Sequence, residues 1–222
     1  MNLSPILVSL KTASLAILIT FFLGIFAAWG VVGIESKKLR SLLDGVLILP
    51  LVLPPTVAGF FLLYMFGVRR PVGRFLLEYF SVRIAFSWGA TVLAAVLISF
   101  PLMYRSARGA FEQVNDNLIF AARTIGMPEW KIFWKIRMAT ALPGVLSGGI
   151  LAFTRGLGEF GATAMIAGNI AGVTRTLPMA VYSAVAAGDE ETAAGYVAIM
   201  LIISFVAIVC MNIFALKEYK TR

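Results

Sequence analysis

The sequence predicts an all-α membrane protein with about five transmembrane helices, and three observations predict it. Sixty per cent of the 222 residues are hydrophobic and 14% are charged, with a mean hydropathy of +0.91, whereas a soluble domain carries about 25% charged residues. That much apolar side chain exceeds what one water-soluble core can hide, so the bilayer is the solvent. Five stretches, roughly 8–34, 45–67, 86–105, 141–167 and 194–216, each supply the run of about 20 apolar residues that a spanning helix needs. Finally, the cations sit almost entirely between these stretches. The chain reads as one membrane domain over 1–222.

The first stretch is far longer than the roughly 7–15 apolar residues of a secretory signal and has no small-x-small cleavage pattern after it, so it reads as a retained helix. The second carries Pro50, Pro54 and Pro55 within Leu49–Thr56. Each proline removes a backbone donor and clashes with the preceding turn, which predicts a break or a strong kink. Irregular backbone at membrane depth is tolerated where protein buries it or where it lines a wet cavity. The bend is therefore either a pathway element or a packed kink.

Val68–Ala85 follows, where Arg69, Arg70, Arg74 and Arg83 are offset only by Glu78. These arginines could attract anions, snorkel to lipid phosphates or pair with an acidic partner. After the third span comes the long polar stretch Ser106–Thr140. Within it, Gly126 suits a helix stop and Pro128 a first helical position, predicting two short helices joined at Gly126–Met127. On the second of these, Trp130, Phe133, Trp134 and Met138 fall on one helical face. The fourth span places Arg155 and Glu159 at i, i+4, so each can neutralise the other. This pair reads either as a gate element or as a neutral structural pair. Gly144-x3-Gly148, Ala152-x3-Gly156 and Gly158-x3-Ala162 offer small faces for close helix packing. Gly168–Ala193, with Pro178 and the acidic run Asp189–Glu191, is too polar to span and predicts a partly helical loop.

Orientation follows from the cations. With the N-terminus outside, twelve fall inside (Lys37, Lys38, Arg40, Arg105, Arg108, Arg123, Lys131, Lys135, Arg137, Lys217, Lys220 and Arg222). Six fall outside (Lys11, Arg69, Arg70, Arg74, Arg83 and Arg175). This favours N-outside, C-cytoplasmic. The same rule accounts for the net charge of +8 without nucleic acid. With no histidine and one cysteine, Cys210, the chain cannot build a disulfide framework, a His-containing catalytic triad or the usual zinc site. No G-x-x-x-x-G-K-[ST] occurs, so any ATP used is bound by another polypeptide.

The pattern A-A-x3-G-x9-I at Ala121, Ala122, Gly126 and Ile136 resembles the E-A-A loop of bacterial ABC importer permeases. Phe120 stands in place of the glutamate, and Met138-Ala139 in place of Leu-Pro. Leu49–Gly59, Leu142-Pro143-Gly144, the run Arg155–Thr163, Ala167-Gly168-Asn169 and Thr174–Pro178 are similar to the molybdate branch of the molybdate/sulfate/tungstate group. The resemblance implies a type I ABC importer permease fold and a cytoplasmic coupling loop over about 106–140. In that loop Phe120, Ala121, Ala122, Arg123, Thr124, Gly126 and Trp130 would meet the ATPase. Pro54, Pro55, Thr56, Arg155, Gly158, Glu159 and Thr163 would serve the translocation pathway or gate.

It further implies a homodimer of permeases in a bacterial or archaeal cytoplasmic membrane, two ATPase subunits and an extracytoplasmic oxyanion-binding protein. No cofactor would bind this chain, ATP and Mg would sit on the partner subunit, and the chain would not be an enzyme. The alternatives are a tungstate or sulfate permease, or a secondary transporter driven by an ion gradient. The latter would need a proton relay, for which Glu159 is the only acid well inside a span.

Overall fold

The computed structural model describes residues 2–219, and every regular element among them is a helix. In order these are α1 (Ser4–Val32), α2 (Lys37–Val52), α3 (Pro55–Phe66), α4 (Pro71–Phe80), α5 (Trp88–Glu112), α6 (Asp116–Thr124) and α7 (Glu129–Ile132). A π-helical turn (Phe133–Met138) then leads into α8 (Ala139–Leu157), followed by α9 (Gly161–Ile166), α10 (Leu177–Ala186) and α11 (Glu190–Tyr219). Of the cations counted as inside, Lys220 and Arg222 lie outside the described residues, as does the side chain of Lys217.

Among the described residues, four helical runs are long and apolar enough to cross a bilayer: Ser4–Val32, Trp88–Glu112, Glu129–Leu157 and Glu190–Cys210. The pair α2 and α3 makes a fifth, bent by 107°. The bend falls where the prolines place it. In a continuous helix the carbonyls of Pro50 and Leu51 would accept from residues 54 and 55, and both of those are prolines with no N–H to give. The helix therefore stops at Val52 and restarts at Pro55, whose missing donor costs nothing at a first helical position.

Helix α5 is the centre of the bundle, flanked by α1, α8 and α2. Hydroxyl pairs bridge it to α1: Thr12 with Thr91 at 3.0 Å and Thr20 with Ser99 at 3.2 Å. Such bonds tie helices together where water offers no competing partner. The expected small faces are used, because a Cβ on Gly144 would lie 2.7 Å from Ala110 Cβ and one on Gly148 would strike Ser106. Ile25, Met103, Tyr104, Phe111, Ile132 and Phe133 form one buried cluster running from α1 and α5 down to α7. Leu201, Ile202, Phe205 and Val206 on α11 are exposed, an apolar face left uncovered within the single chain.

Three boundaries differ from the sequence reading. The fourth span is not one helix over 141–167, since α8 ends at Leu157 and α9 begins at Gly161. The polar stretch 106–140 contracts to a connection over 113–128 around α6, because α5 runs on to Glu112 and the next helical run begins at Glu129. Val68–Ala85 contains a helix of its own, α4, while Gly168–Ala193 is partly helical as expected, through α10.

Candidate functional site

The two broken spans meet. A Cβ at Gly59 would lie 2.6 Å from Ala162 Cα and 2.7 Å from the Ala162 carbonyl oxygen, so α3 and α9 touch backbone to backbone. A Cβ on Gly161 would lie 3.0 Å from Pro55 Cβ and 3.2 Å from the Thr56 nitrogen. The break after α2 thus rests against the break after α8. Pro54 and Thr56 are exposed there and Pro55 is half-buried, whereas Thr163 is fully covered.

Glu159 organises this junction. Its side chain is 2% exposed; Oε2 accepts from Arg155 Nη1 at 2.9 Å, and Oε1 accepts from the Ala162 N–H at 2.8 Å. The pair foreseen at i, i+4 is present, but the two residues are not on one helix. The Glu159 N–H bonds back to the Gly156 carbonyl at 3.2 Å, tightening the last turn beside Gly158, and Phe160 then leaves helical geometry at φ −126° and ψ −55°. The carboxylate therefore satisfies a donor of the restarted helix while neutralising Arg155. No uncompensated charge remains on Glu159 to repel an anion. The Arg155 side chain stays 32% exposed.

The second locus is the corner between α6 and α7. The Asn115 side chain accepts from the Asn117 N–H at 2.9 Å and starts α6. At the other end Gly126 adopts φ +74°, its N–H donates to the Arg123 carbonyl at 2.9 Å, and the Met127 N–H donates to the Ala122 carbonyl at 3.0 Å. These are the two bonds of a Schellman stop, which needs a left-handed residue where glycine alone is unstrained. Arg123 Nε donates to Glu129 Oε1 at 2.6 Å and ties α6 to α7. That bond and the charge behind it raise the Arg123 pKa above its ordinary value.

Ile119 and Ala122 turn inward onto Ile132 and Phe133. Phe120, Ala121, Arg123, Thr124, Gly126 and Trp130 are exposed, and so are Leu118 and Ile125, the latter at 76%. Of the alanine pair only Ala121 presents a surface, while Ala122 supports it from beneath. The expected stripe of Trp130, Phe133, Trp134 and Met138 is divided: Phe133 and Met138 are buried, Trp130 and Trp134 exposed. The π turn explains this, because i→i+5 bonding changes the angular step on which an α-helical stripe depends.

One cluster was not singled out from sequence. Asp44 on α2 accepts from the Tyr104 hydroxyl and pairs with Arg108 on α5. Arg108 Nε also holds Glu112 Oε1 at 2.9 Å, and Arg40 pairs with the same Glu112. Arg40 and Arg108 had entered only as inside cations; the acids Asp44 and Glu112 near span ends were the available signal.

A bundle of five candidate spans with two apposed helix breaks and an exposed helical corner has the architecture of a membrane transport component. The chain belongs to the family described as binding-protein-dependent transport system inner membrane component, which matches residues 20–217. It is 46% identical over 197 residues to the molybdenum transport system permease protein ModB of Escherichia coli (strain K12), covering 89% of this chain and 86% of that protein. It is 38% identical over 220 residues to the putative molybdenum transport system permease protein YvgM of Bacillus subtilis (strain 168), covering 99% and 94%.

Among solved structures, a chain of the MetNI methionine ABC transporter in an inward-facing conformation superposes with a TM-score of 0.75 at 14% identity, covering 95% of this chain and 93% of that one. A chain of a bacterial ABC transporter that imports the acidic polysaccharide alginate gives 0.74 at 15% identity, covering 97% and 79%. The fold is that of type I ABC importer permeases. The chain is a multi-pass inner-membrane transport subunit and not itself an enzyme, and membership in this family sets aside the gradient-driven alternative.

Proposed function

We propose that this chain is the permease subunit of an ATP-driven importer whose substrate is the tetrahedral dianion molybdate. The single observation that carries the reading is the exposed α6–α7 corner, joined to relatives named as molybdenum transport permeases along 89–99% of the chain. Phe120, Ala121, Arg123, Thr124, Gly126 and Trp130 form the seat for a separate ATPase, and ATP and Mg bind there on the partner and not on this chain. Two copies assemble with two ATPases, and an extracytoplasmic binding protein delivers the anion. The N-terminus lies outside and the C-terminus in the cytoplasm, as the cation distribution favours.

In this reading the ATPases draw together on binding ATP and displace the α6–α7 corner. Because Ile119, Ala122, Ile132 and Phe133 share one buried cluster with α1, α5 and α8, the displacement is passed into the bundle as a rigid movement. The junction of Pro54, Pro55 and Thr56 with Gly158, Glu159 and Thr163 is the element that moves, and the Arg155 guanidinium, paired with Glu159, stays partly accessible beside it. Specificity rests mainly with the binding protein.

Cells lacking their own molybdate uptake, given this chain with its ATPase and binding protein, are expected to accumulate labelled molybdate. Tungstate should compete and sulfate should compete poorly. Sulfate accumulation with molybdate ignored would refute the substrate. Accumulation independent of the ATPase would refute the mechanism.

A further inference from the structure

Helix α4 is an amphipathic helix that its own chain leaves almost uncovered. At 3.6 residues per turn, Arg74 and Glu78 share one narrow face, and Val72, Phe75, Leu76, Tyr79 and Phe80 spread over the opposite one. Only Gly73 is buried, pressed against the backbone carbonyls of Phe66 and Gly67 at the end of α3. Phe75, Leu77, Tyr79 and Phe80 are all exposed, Tyr79 at 73%. A face this apolar is not stable against water, yet ten residues are too few to cross a bilayer.

The position of α4 and its charge specify what covers it. The helix lies between the end of α3 and the start of α5, which sets it at the boundary of the hydrocarbon layer. Aromatic–cation pairs mark the same boundary: the Arg70 guanidinium lies 4.1 Å from the Tyr64 ring centre, and Lys11 Nζ lies 4.2 Å from that of Trp88. Such residues collect at headgroup level. Arg69, Arg70, Arg74 and Arg83 face only one acid in the segment, Glu78, which Arg74 Nε binds at 2.6 Å. Arg69, Arg70 and Arg83 make no ion pair among the described residues.

We infer that α4 is an interfacial anchor that lies in the plane of the outer leaflet, its aromatic face in the upper acyl layer and its arginines on the headgroups of anionic phospholipid. The choice of leaflet rests on the N-outside orientation proposed above. An amphipathic helix with Phe and Leu on its apolar side and basic residues toward the headgroups meets the physical requirements; here the unpaired cations are Arg69, Arg70 and Arg83, which flank α4. Each arginine near an anionic surface contributes up to about a fivefold preference for that lipid.

The test uses the full chain in nanodiscs of phosphatidylcholine with or without phosphatidylglycerol. A polarity-sensitive fluorophore is placed on Tyr79→Cys in a Cys210→Ser background. Blue-shifted emission is expected, quenched best by nitroxides near the top of the acyl chain. Replacing Arg69, Arg70, Arg74 and Arg83 by Gln should abolish enrichment of phosphatidylglycerol around the probe. Arg74→Gln alone should lower it partway, which keeps the test usable if the fourfold variant misfolds. Three outcomes would overturn the anchor: ready quenching by aqueous iodide, strongest quenching from the acyl chain ends, or protection from both lipid and water, the mark of a covering second copy. Unchanged lipid preference in the Gln variants would overturn the role of charge. Orientation is read separately by a membrane-impermeant maleimide on Arg83→Cys in intact cells. Labelling only after permeabilisation would overturn the leaflet, while the quenching still decides whether α4 sits in lipid.

Discussion

Glu159 reaches across a helix break, accepting from Arg155 behind it at 2.9 Å and from the Ala162 N–H ahead of it at 2.8 Å. The two bonds are separable by chemistry. Glu159→Gln keeps an oxygen able to accept from Ala162 but loses the charge, whereas Glu159→Ala loses both. Arg155→Ala leaves a buried carboxylate without its counter-charge. Removing one partner of a buried pair costs about 3–5 kcal/mol, and the lower end applies here because Arg155 is partly accessible. Thermal unfolding in detergent should rank Glu159→Gln above Glu159→Ala. The double variant Arg155→Ala/Glu159→Ala should be less damaged than the sum of its singles.

At Gly126 the cost of substitution is conformational and not steric, since a Cβ there meets nothing within 4 Å. Asn tolerates the left-handed region, whereas an ordinary side chain costs about 1–2 kcal/mol in it and a β-branched one is a genuine outlier. Gly126→Asn should therefore retain substrate-stimulated ATPase activity in the assembled transporter. Gly126→Val should uncouple hydrolysis from uptake while the membrane assembly still forms. Equal coupling in the two variants would falsify the rigid-corner reading.

Gly59 gives the opposite case, with the obstacle being backbone of α9. Gly59→Ala should cost about 1–3 kcal/mol by overpacking and should reduce uptake. Gly30→Ala, where a Cβ meets nothing within 4 Å, is the matched control and should leave uptake unchanged. Uptake rates from the two variants, normalised to membrane-inserted protein, decide the matter.

Asp189 gives a pH signature. Hydrogen bonds from the Thr192 side chain and backbone hold its carboxyl below the ordinary carboxylate range, and Oδ1 accepts from the Thr192 N–H at 3.0 Å to cap α11. A folded pKa below the unfolded one means the stabilisation is present above about pH 4 and fades as pH falls through the lower folded value. Asp189→Asn caps without titrating and should flatten the acid limb of a melting-temperature profile. Asp189→Ala should lower stability at neutral pH and flatten the same limb.

Much of this was legible in the sequence because prolines and small residues act locally. Three prolines located the 107° bend, Gly126 located the helix stop, and the small faces of α8 found their counterparts on α5. The break after Leu157 was not legible. No proline marks it, and Gly156, Gly158 and Gly161 look like packing residues until a neighbouring helix is present to occupy the space. Helix α4 was hidden by the arginines around it, Arg69, Arg70 and Arg83 with Arg74 inside, which make the segment look like a loop. The Arg155–Glu159 spacing was read correctly from a helix that does not extend to Glu159. The pairing of Asp44 with Tyr104 and Arg108 joins residues about 60 positions apart, and no periodicity announces such contacts.

The π turn at Phe133–Met138 has a consequence for how this chain could have been assembled and could be altered. A π turn amounts to a helix carrying one residue more than its α-helical neighbours require. Deleting a single residue between Trp134 and Arg137 would let the run relax to continuous α-helix while α8 keeps nearly its present bearing on the corner, because the widened turn already absorbs the extra residue. The same deletion inside α8 has no such slack to draw on and would turn Arg155 by about 100° from its present bearing. The π turn thus holds one residue of slack, and it is the place in this run where a lineage could gain or lose a residue without resetting how its two ends face each other.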